Sequence, residues 1–293
     1  MTSLEWPLRR PYACAALELR GQRLRWGERT FVAGIINVTP DSFSGDGVGG
    51  DVAAAVKLAL SFESGGASLL DIGGESSRPG AAPVTAEQEA ARVLPALAAI
   101  RKVTTLPISI DTYHAAVAEQ ALCAGADLVN DITGLRHDSA MAAVVARHRA
   151  GLIAMHNQRG RPFHDVIGDI RIGFAESLRI AREAGIERAR IILDPGFGFG
   201  WKPEHNLEML RRLPELWDFE LPLLIGASRK STLGLVLDAP LEERLGGSLA
   251  SASVAIAAGA DIVRVHDVGE TVRAARVADA IVRANWQSPE PSP

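Results

Sequence analysis

The chain has 293 residues, 47 % of them hydrophobic and 23 % charged, and 31 Lys+Arg against 35 Asp+Glu leave a formal net charge of −4. This composition excludes a disordered polymer, which needs less apolar material and more net charge, and it argues against a general nucleic-acid binder, which carries a basic excess. Two cysteines, Cys14 and Cys123, make neither a disulfide framework nor a zinc set, and no window reaches the roughly 18 apolar residues of a membrane span. A cytoplasmic chain with no membrane and no nucleic-acid partner is expected.

Residues 1–30 read as an N-terminal extension, a hairpin beneath the domain that begins at residue 31. From residue 31 one unit recurs eight times: a short aliphatic or β-branched run, a polar residue, a loop, then a helical stretch. Run 31–36 ends at Asn37 and precedes helix 52–64. Run 68–70 ends at Asp71 and precedes helix 86–102. Run 108–110 ends at Asp111 before helix 115–124, and run 128–129 ends at Asn130 before helix 139–149. Run 152–155 ends at His156 before helix 172–184, and run 191–193 ends at Asp194 before helix 206–212. Run 223–225 leads to Ser228 before helix 249–258. Run 262–265 carries Arg264, ends at His266 and precedes helix 271–284. Residues 285–293 read as a flexible tail.

Runs this short and this apolar are strands buried on both faces, hence parallel. Several helices close on Gly just before the next strand, as at Gly125, Gly185 and Gly259, where a left-handed residue ends a helix. Eight strand–helix units over 31–284 predict an α/β fold, a single-domain (β/α)8 TIM barrel. An open doubly wound sheet would carry a Gly-rich phosphate loop after its first strand, and here Thr39-Pro40-Asp41-Ser42-Phe43-Ser44 stands there instead.

Barrel active sites lie at the C-terminal strand ends. One polar strand end is as easily a helix cap as a ligand group; a polar residue at all eight is harder to dismiss. Asp111, Asn130 and Asp194 offer acceptors and an amide that can face a flat heterocycle, because a carboxylate takes two parallel N–H bonds from an amino-pyrimidinone edge. Lys230 could donate to a ring oxygen or nitrogen. Arg78, Arg264, His266 and Asn37 form a second, cationic and polar group suited to a phosphate or diphosphate. Arg264 and His266, two apart on one strand, face the same side. The two groups together suggest a flat polar ring bearing a phosphorylated arm. The glycines of 196–200 lack dinucleotide-loop spacing and are expected to let the backbone approach a ligand. The seven histidines show no paired metal spacing, and His114, His137 and His148 read as solvated surface residues.

Seven motifs, in order over about residues 31–284, resemble the dihydropteroate synthase family. They are Asn37-Val38-Thr39-Pro40-Asp41-Ser42-Phe43-Ser44; Asp71-Ile72-Gly73-Gly74-Glu75-Ser76-Ser77-Arg78-Pro79-Gly80; Ile110-Asp111-Thr112; Asn130-Asp131-Ile132; Leu193-Asp194-Pro195-Gly196-Phe197-Gly198-Phe199-Gly200; Gly226-Ala227-Ser228-Arg229-Lys230-Ser231; and Arg264-Val265-His266-Asp267. The resemblance implies a TIM barrel that condenses 6-hydroxymethyl-7,8-dihydropterin diphosphate with 4-aminobenzoate, giving 7,8-dihydropteroate and diphosphate in folate biosynthesis with help from Mg2+. It implies Asp111, Asn130, Asp194 and Lys230 around the pterin. Asn37, Arg78, Arg264 and His266 would surround the diphosphate, with Asn37 toward the metal. Ser77, Pro79 and Ser231 would lie near the aminobenzoate, and Arg264, His266 and Lys230 would carry catalysis. It is compatible with a homodimer.

The chain departs from the family pattern in a longer loop at 45–50, in Ser77 where Thr is common, in the altered stretch 156–160, and in Trp201 where Lys is frequent. A pterin-dependent methyltransferase domain would lack the first motif and the stretch 76–80, and both are present. A non-catalytic pterin-binding paralogue is the other alternative. Loops 39–50 and 76–83, rich in Gly, Ser and Pro, are expected to order over diphosphate and Mg2+ and only then complete the aminobenzoate site.

Overall fold

The computed structural model describes residues 15–39, 51–75, 83–284 and 286–287. A hairpin of β1 (Leu17–Leu19) and β2 (Gln22–Leu24) precedes eight parallel strands: β3 (Phe31–Asn37), β4 (Leu69–Gly73), β5 (Ile108–Asp111), β6 (Leu128–Asp131), β7 (Gly151–Met155), β8 (Ile191–Asp194), β9 (Leu224–Ile225) and β10 (Ile262–Val265). Their order is β8-β7-β6-β5-β4-β3-β10-β9. A parallel bridge from Leu193 to Leu223, with the Leu193 amide donating to the Pro222 carbonyl at 2.9 Å, closes the ring between β8 and β9. The TIM barrel expected from the recurring unit is therefore the observed fold.

Side-chain alternation explains why the strands look apolar throughout. One parity (Val32, Leu70, Ile110, Val129, Leu152, Leu193, Val263) packs outward against the helices. The other (Phe31, Ala33, Leu69, Leu128, Ile153, Ile192, Leu224, Ile262) fills the barrel interior together with Leu17, Leu19, Leu24 and Trp26 from the hairpin. The hairpin thus plugs the N-terminal end with apolar side chains, and Asp127 fastens it, accepting from Arg20 Nε at 3.0 Å and from the Ile108 amide at 2.9 Å. Polar groups of the inward parity are left for the opposite mouth.

The helices are α1 (Val52–Ser64), α2 (Ala86–Arg101), α3 (Ala115–Cys123), α4 (Met141–His148), α5 (Val166–Glu183), α6 (Pro203–Arg211), α7 (Ser231–Leu237), α8 (Leu245–Ala257) and α9 (Val268–Arg283). Three differ most from expectation. Helix α5 starts at Val166 rather than near 172, because Asp165 caps it by accepting from the Gly168 amide at 2.8 Å. Helix α7 was not expected, and α8 begins at Leu245 rather than 249. Glycines hide both: a Cβ on Gly234 would stand 2.4 Å from the Arg244 guanidinium packed there, so glycine serves the packing while weakening the helical pattern. Among the described residues no helix is long and apolar enough to cross a membrane.

Candidate active site

The inward parity that carries Leu69, Leu128, Ile192 and Ile262 near the bottom carries Asp71, Asn130, Asp194 and Arg264 two residues further along each strand. Asn37, Gly73, Asp111 and Asn130 stand side by side across β3 to β6 in the observed register. The parity also excludes neighbours. Asp131, one residue past Asn130, points to the helix layer, where it accepts from the Thr133 amide at 2.7 Å and the Leu135 amide at 2.8 Å. His156 is likewise turned outward: a Cβ on Gly173 of α5 would stand 2.0 Å from its Nδ1. Its Nε2 lies 2.9 Å from Gln158 Oε1, and burial pushes the imidazole down to about 4. Not every polar strand end serves the mouth.

Arg264 is the hub of what does. Its Nε donates to Asp71 Oδ2 at 2.5 Å and its Nη2 to Asp111 Oδ2 at 2.6 Å. Asn130 Nδ2 donates to the same Asp71 oxygen at 3.2 Å. Asp71 is 1 % exposed, and its Oδ1 has no hydrogen-bond partner among the described residues. Sequence reading placed Asp71 at a strand end and gave it no role; its parity with Arg264 was the available signal. Burial pushes Asp111 up to about 7, with Arg264 opposing the shift. Burial would lower Arg264 as well, but Asp71 and Asp111 outweigh it and hold the guanidinium above its ordinary value.

Asn37 ends β3 beside Asp111: its Oδ1 and Asp111 Oδ2 lie 3.8 and 3.7 Å from the place a Gly73 Cβ would take. Asp194 is buried at the end of β8, where Oδ1 accepts from the Gly196 amide at 2.7 Å, and burial raises its carboxyl to about 6. Lys230 donates to the Phe197 carbonyl and holds its Nζ 4.5 Å from the Phe199 ring centroid. Burial pushes Lys230 down to about 7, with Asp194 acting against it. His266 Nδ1 lies 3.1 Å from Ser228 Oγ, which anchors the imidazole to the loop after β9. Ser231 opens α7 and is exposed. Arg78, Ser77 and Pro79 lie outside the described residues, as do loop 45–50 and the loop-ordering expectation that rests on it.

Two expectations are corrected. Gly196, Gly198 and Gly200 all have positive φ, and their missing side chains make room for the protein itself. A Cβ would fall 1.9 Å from the His156 carbonyl oxygen, 2.7 Å from Lys230 Cδ and 2.4 Å from the Arg159 amide nitrogen, respectively. Gly198→Ala is therefore expected to cost about 1–2 kcal/mol of stability from its left-handed backbone. It should also weaken ligand binding by displacing Lys230, which chemical denaturation and calorimetry on one preparation would separate. The second correction concerns the histidines. His137 is exposed as expected, but His148 Nε2 lies 2.9 Å from Glu119 and His114 Nδ1 lies 2.8 Å from the buried Glu89. A lone histidine in a helical or loop segment reveals nothing of a carboxylate that only the fold brings beside it.

Two departures from the family pattern form one packed unit. Trp201 lies 5.6 Å from His156 and 6.4 Å from Phe163 between ring centroids, and Phe163 stacks on His205 at 4.2 Å. The altered stretch after β7 and the tryptophan after β8 thus cover one another.

Residues 33–266, from the first barrel strand to the end of the last, match the family of pterin-binding enzymes. The dihydropteroate synthase of Synechocystis is 47 % identical over 88 % of this chain and 92 % of its own length. That of Clostridium beijerinckii is 44 % identical over 91 % of this chain and all of its own length. The chain belongs to the dihydropteroate synthase family. Its architecture agrees: the Xanthomonas albilineans dihydropteroate synthase, solved with 4-aminobenzoic acid, superposes with a TM-score of 0.84 at 38 % identity, covering 92 % of this chain and 98 % of that one. As a member of the family the chain is a transferase of folate biosynthesis with a pterin-binding barrel.

Proposed function

We propose that the mouth of the barrel formed by 31–284 binds 6-hydroxymethyl-7,8-dihydropterin diphosphate and 4-aminobenzoate and joins them into 7,8-dihydropteroate. The observation that carries this reading is the Asp71–Arg264–Asp111 bridge beside Asn130, Asp194 and Lys230: a floor of buried acceptors and donors at strand ends, crossed by one cation. A dihydropterin presents N–H donors and a carbonyl on one flat edge. Asp111 and Asp194 would accept from those donors, and Asn130 and Lys230 would meet the remaining ring atoms. Asp71 holds Arg264 and Asn130 in place. Arg264, His266 and Arg78 would face the diphosphate, while Ser77, Pro79 and Ser231 would border the aminobenzoate.

The reaction needs no enzyme nucleophile. The bond from the pterin methylene to the diphosphate oxygen breaks with its electron pair leaving on oxygen, and the ring delocalises the resulting cation. The aniline nitrogen then attacks the methylene and loses a proton. Arg264 and His266 would stabilise charge growing on the leaving oxygen, and the rest of the site supplies position. Mg2+ fits this mouth: Asn37 offers a neutral oxygen beside Asp111, and Mg2+ takes few protein ligands and keeps phosphate oxygens and water. When bound, it would offset negative charge on the diphosphate.

The test is direct. Purified chain, synthetic dihydropterin diphosphate, 4-aminobenzoate and Mg2+ should yield dihydropteroate by chromatography. Tight pterin binding without product would instead indicate a non-catalytic pterin-binding paralogue.

A further inference from the structure

Beside the mouth, three segments bring a second group of chemistry-bearing side chains together. Glu75 follows β4, Glu89 lies in the first turn of α2, and His114 stands just before α3 and just past β5. One donor atom from each lies within 4.8 Å of the other two. Nothing in the proposed condensation uses them.

Their hydrogen bonds engage one oxygen of each carboxylate, and His114 Nδ1 lies 2.8 Å from Glu89 Oε2. Tyr113 Oη donates to Glu75 Oε1 at 2.7 Å, and Thr112 Oγ1 donates to Glu89 Oε2 at 2.9 Å. The other oxygen of each carboxylate, Glu75 Oε2 and Glu89 Oε1, is buried and has no hydrogen-bond partner among the described residues. The Glu89 side chain is only 1 % exposed. No lysine or arginine pairs with either glutamate among the described residues; Arg92, on the same helix as Glu89, gives its Nη1 to the Gly74 carbonyl at 3.0 Å. Leaving a buried carboxylate oxygen without a partner is costly, and two in one cluster are more so. Burial accordingly raises Glu89, with Glu75 adding to the shift.

We propose that Glu75, Glu89 and His114 form a binding site for a divalent transition ion of the zinc class. Two carboxylate oxygens and one imidazole nitrogen are a borderline donor set that suits Zn2+ better than Mg2+, which prefers oxygen alone. Zn2+ holds such donors at about 2.0–2.2 Å, so the three side chains need to close by roughly an ångström around the ion. Tyr113 and Thr112 orient the two carboxylates from behind, as outer partners do in metal sites. The ion would pin Glu75, and with it the root of the stretch 76–80. Only that last consequence rests on the proposed function; the site itself does not.

The experiment uses untagged chain carrying Cys123→Ser, because Glu119, Cys123 and His148 make another three-donor group at the surface. After removal of metals by a chelator, Zn2+ is titrated calorimetrically without substrates, so the result is independent of the condensation. One equivalent should bind, and Glu75→Gln or His114→Gln should each weaken it by at least roughly 10- to 100-fold, the loss that follows removal of an outer partner alone. Zn2+ should also shift the His114 ring signals in a long-range proton–nitrogen NMR spectrum, a readout that holds even if a variant folds poorly. No Zn2+ uptake, uptake unchanged in both variants, or unmoved His114 signals would each overturn the site.

Discussion

Arg264→Ala is expected to lower kcat/KM by roughly two to three orders of magnitude, the range for removing one partner of buried charged hydrogen bonds. The guanidinium binds Asp71 and Asp111 at 2.5 and 2.6 Å, so truncation strands two carboxylates in the barrel mouth rather than one. Asp111, already raised to about 7 by burial against the opposing effect of Arg264, would rise further and lose its charge near neutral pH. Sequence reasoning put Arg264 on the diphosphate side alone, which predicts a large loss for the diphosphate substrate and a small one for the pterin alcohol. The bridge to Asp111 adds a loss for the alcohol too, still smaller than that for the diphosphate. Calorimetry with both ligands measures the two. Equal losses would make Arg264 a ring-pocket residue, and an unaffected alcohol would mean that its bond to Asp111 does not matter for binding. Arg264→Lys should rescue little, because an ammonium cannot span both carboxylates as the planar fork does.

Much of this arrangement was legible in the residue order. The eight recurring units gave the barrel, and the polar ends of the strands gave Asp111, Asn130, Asp194 and Arg264 their common location. Parity separates the polar residues that face the barrel mouth from their neighbours: Asn130 faces in and Asp131 faces out, although both are acids or amides at one strand end. Parity also nominates Asp71, in step with Leu69, yet a site reading guided by donor chemistry alone passed over it. What residue order could not supply is contact between segments far apart. Glu89 and His114 are 25 residues apart and Arg264 and Asp111 are 153 apart, and only closure of the barrel decides which charges meet. The glycines of 196–200 make the same point. A Gly-rich run suggests close backbone approach to a ligand, while the space that side chains there would take is filled by His156, Arg159 and Lys230.

Asp194→Asn should weaken pterin binding by about 2–5 kcal/mol, because one acceptor of a buried carboxylate becomes an N–H facing an N–H. Asp194 also makes a pH prediction whose sign can be worked out. Burial raises its carboxyl to about 6 in the free protein, so below that pH the acceptor is protonated. A bound pterin that donates to the ionised form lowers this value in the complex. Binding below about pH 6 therefore releases a proton, and affinity climbs with pH until the free carboxyl is ionised, then levels. Lys230, lowered by burial to about 7, adds the opposite limb if its charge is needed: affinity falls as pH rises through that value. Asp194→Asn should remove its own share of the acidic limb, leaving the share that Asp111, raised to about 7, contributes, and should keep the alkaline limb, while the thermal midpoint barely moves, since the Gly196 amide can still donate to the amide oxygen. Pterin titrations at several pH values on either side of 6, with both proteins, decide the matter. An acidic limb that persists unchanged in the Asn variant would assign it to another group, Asp111 first, and would remove Asp194 from recognition of the ring.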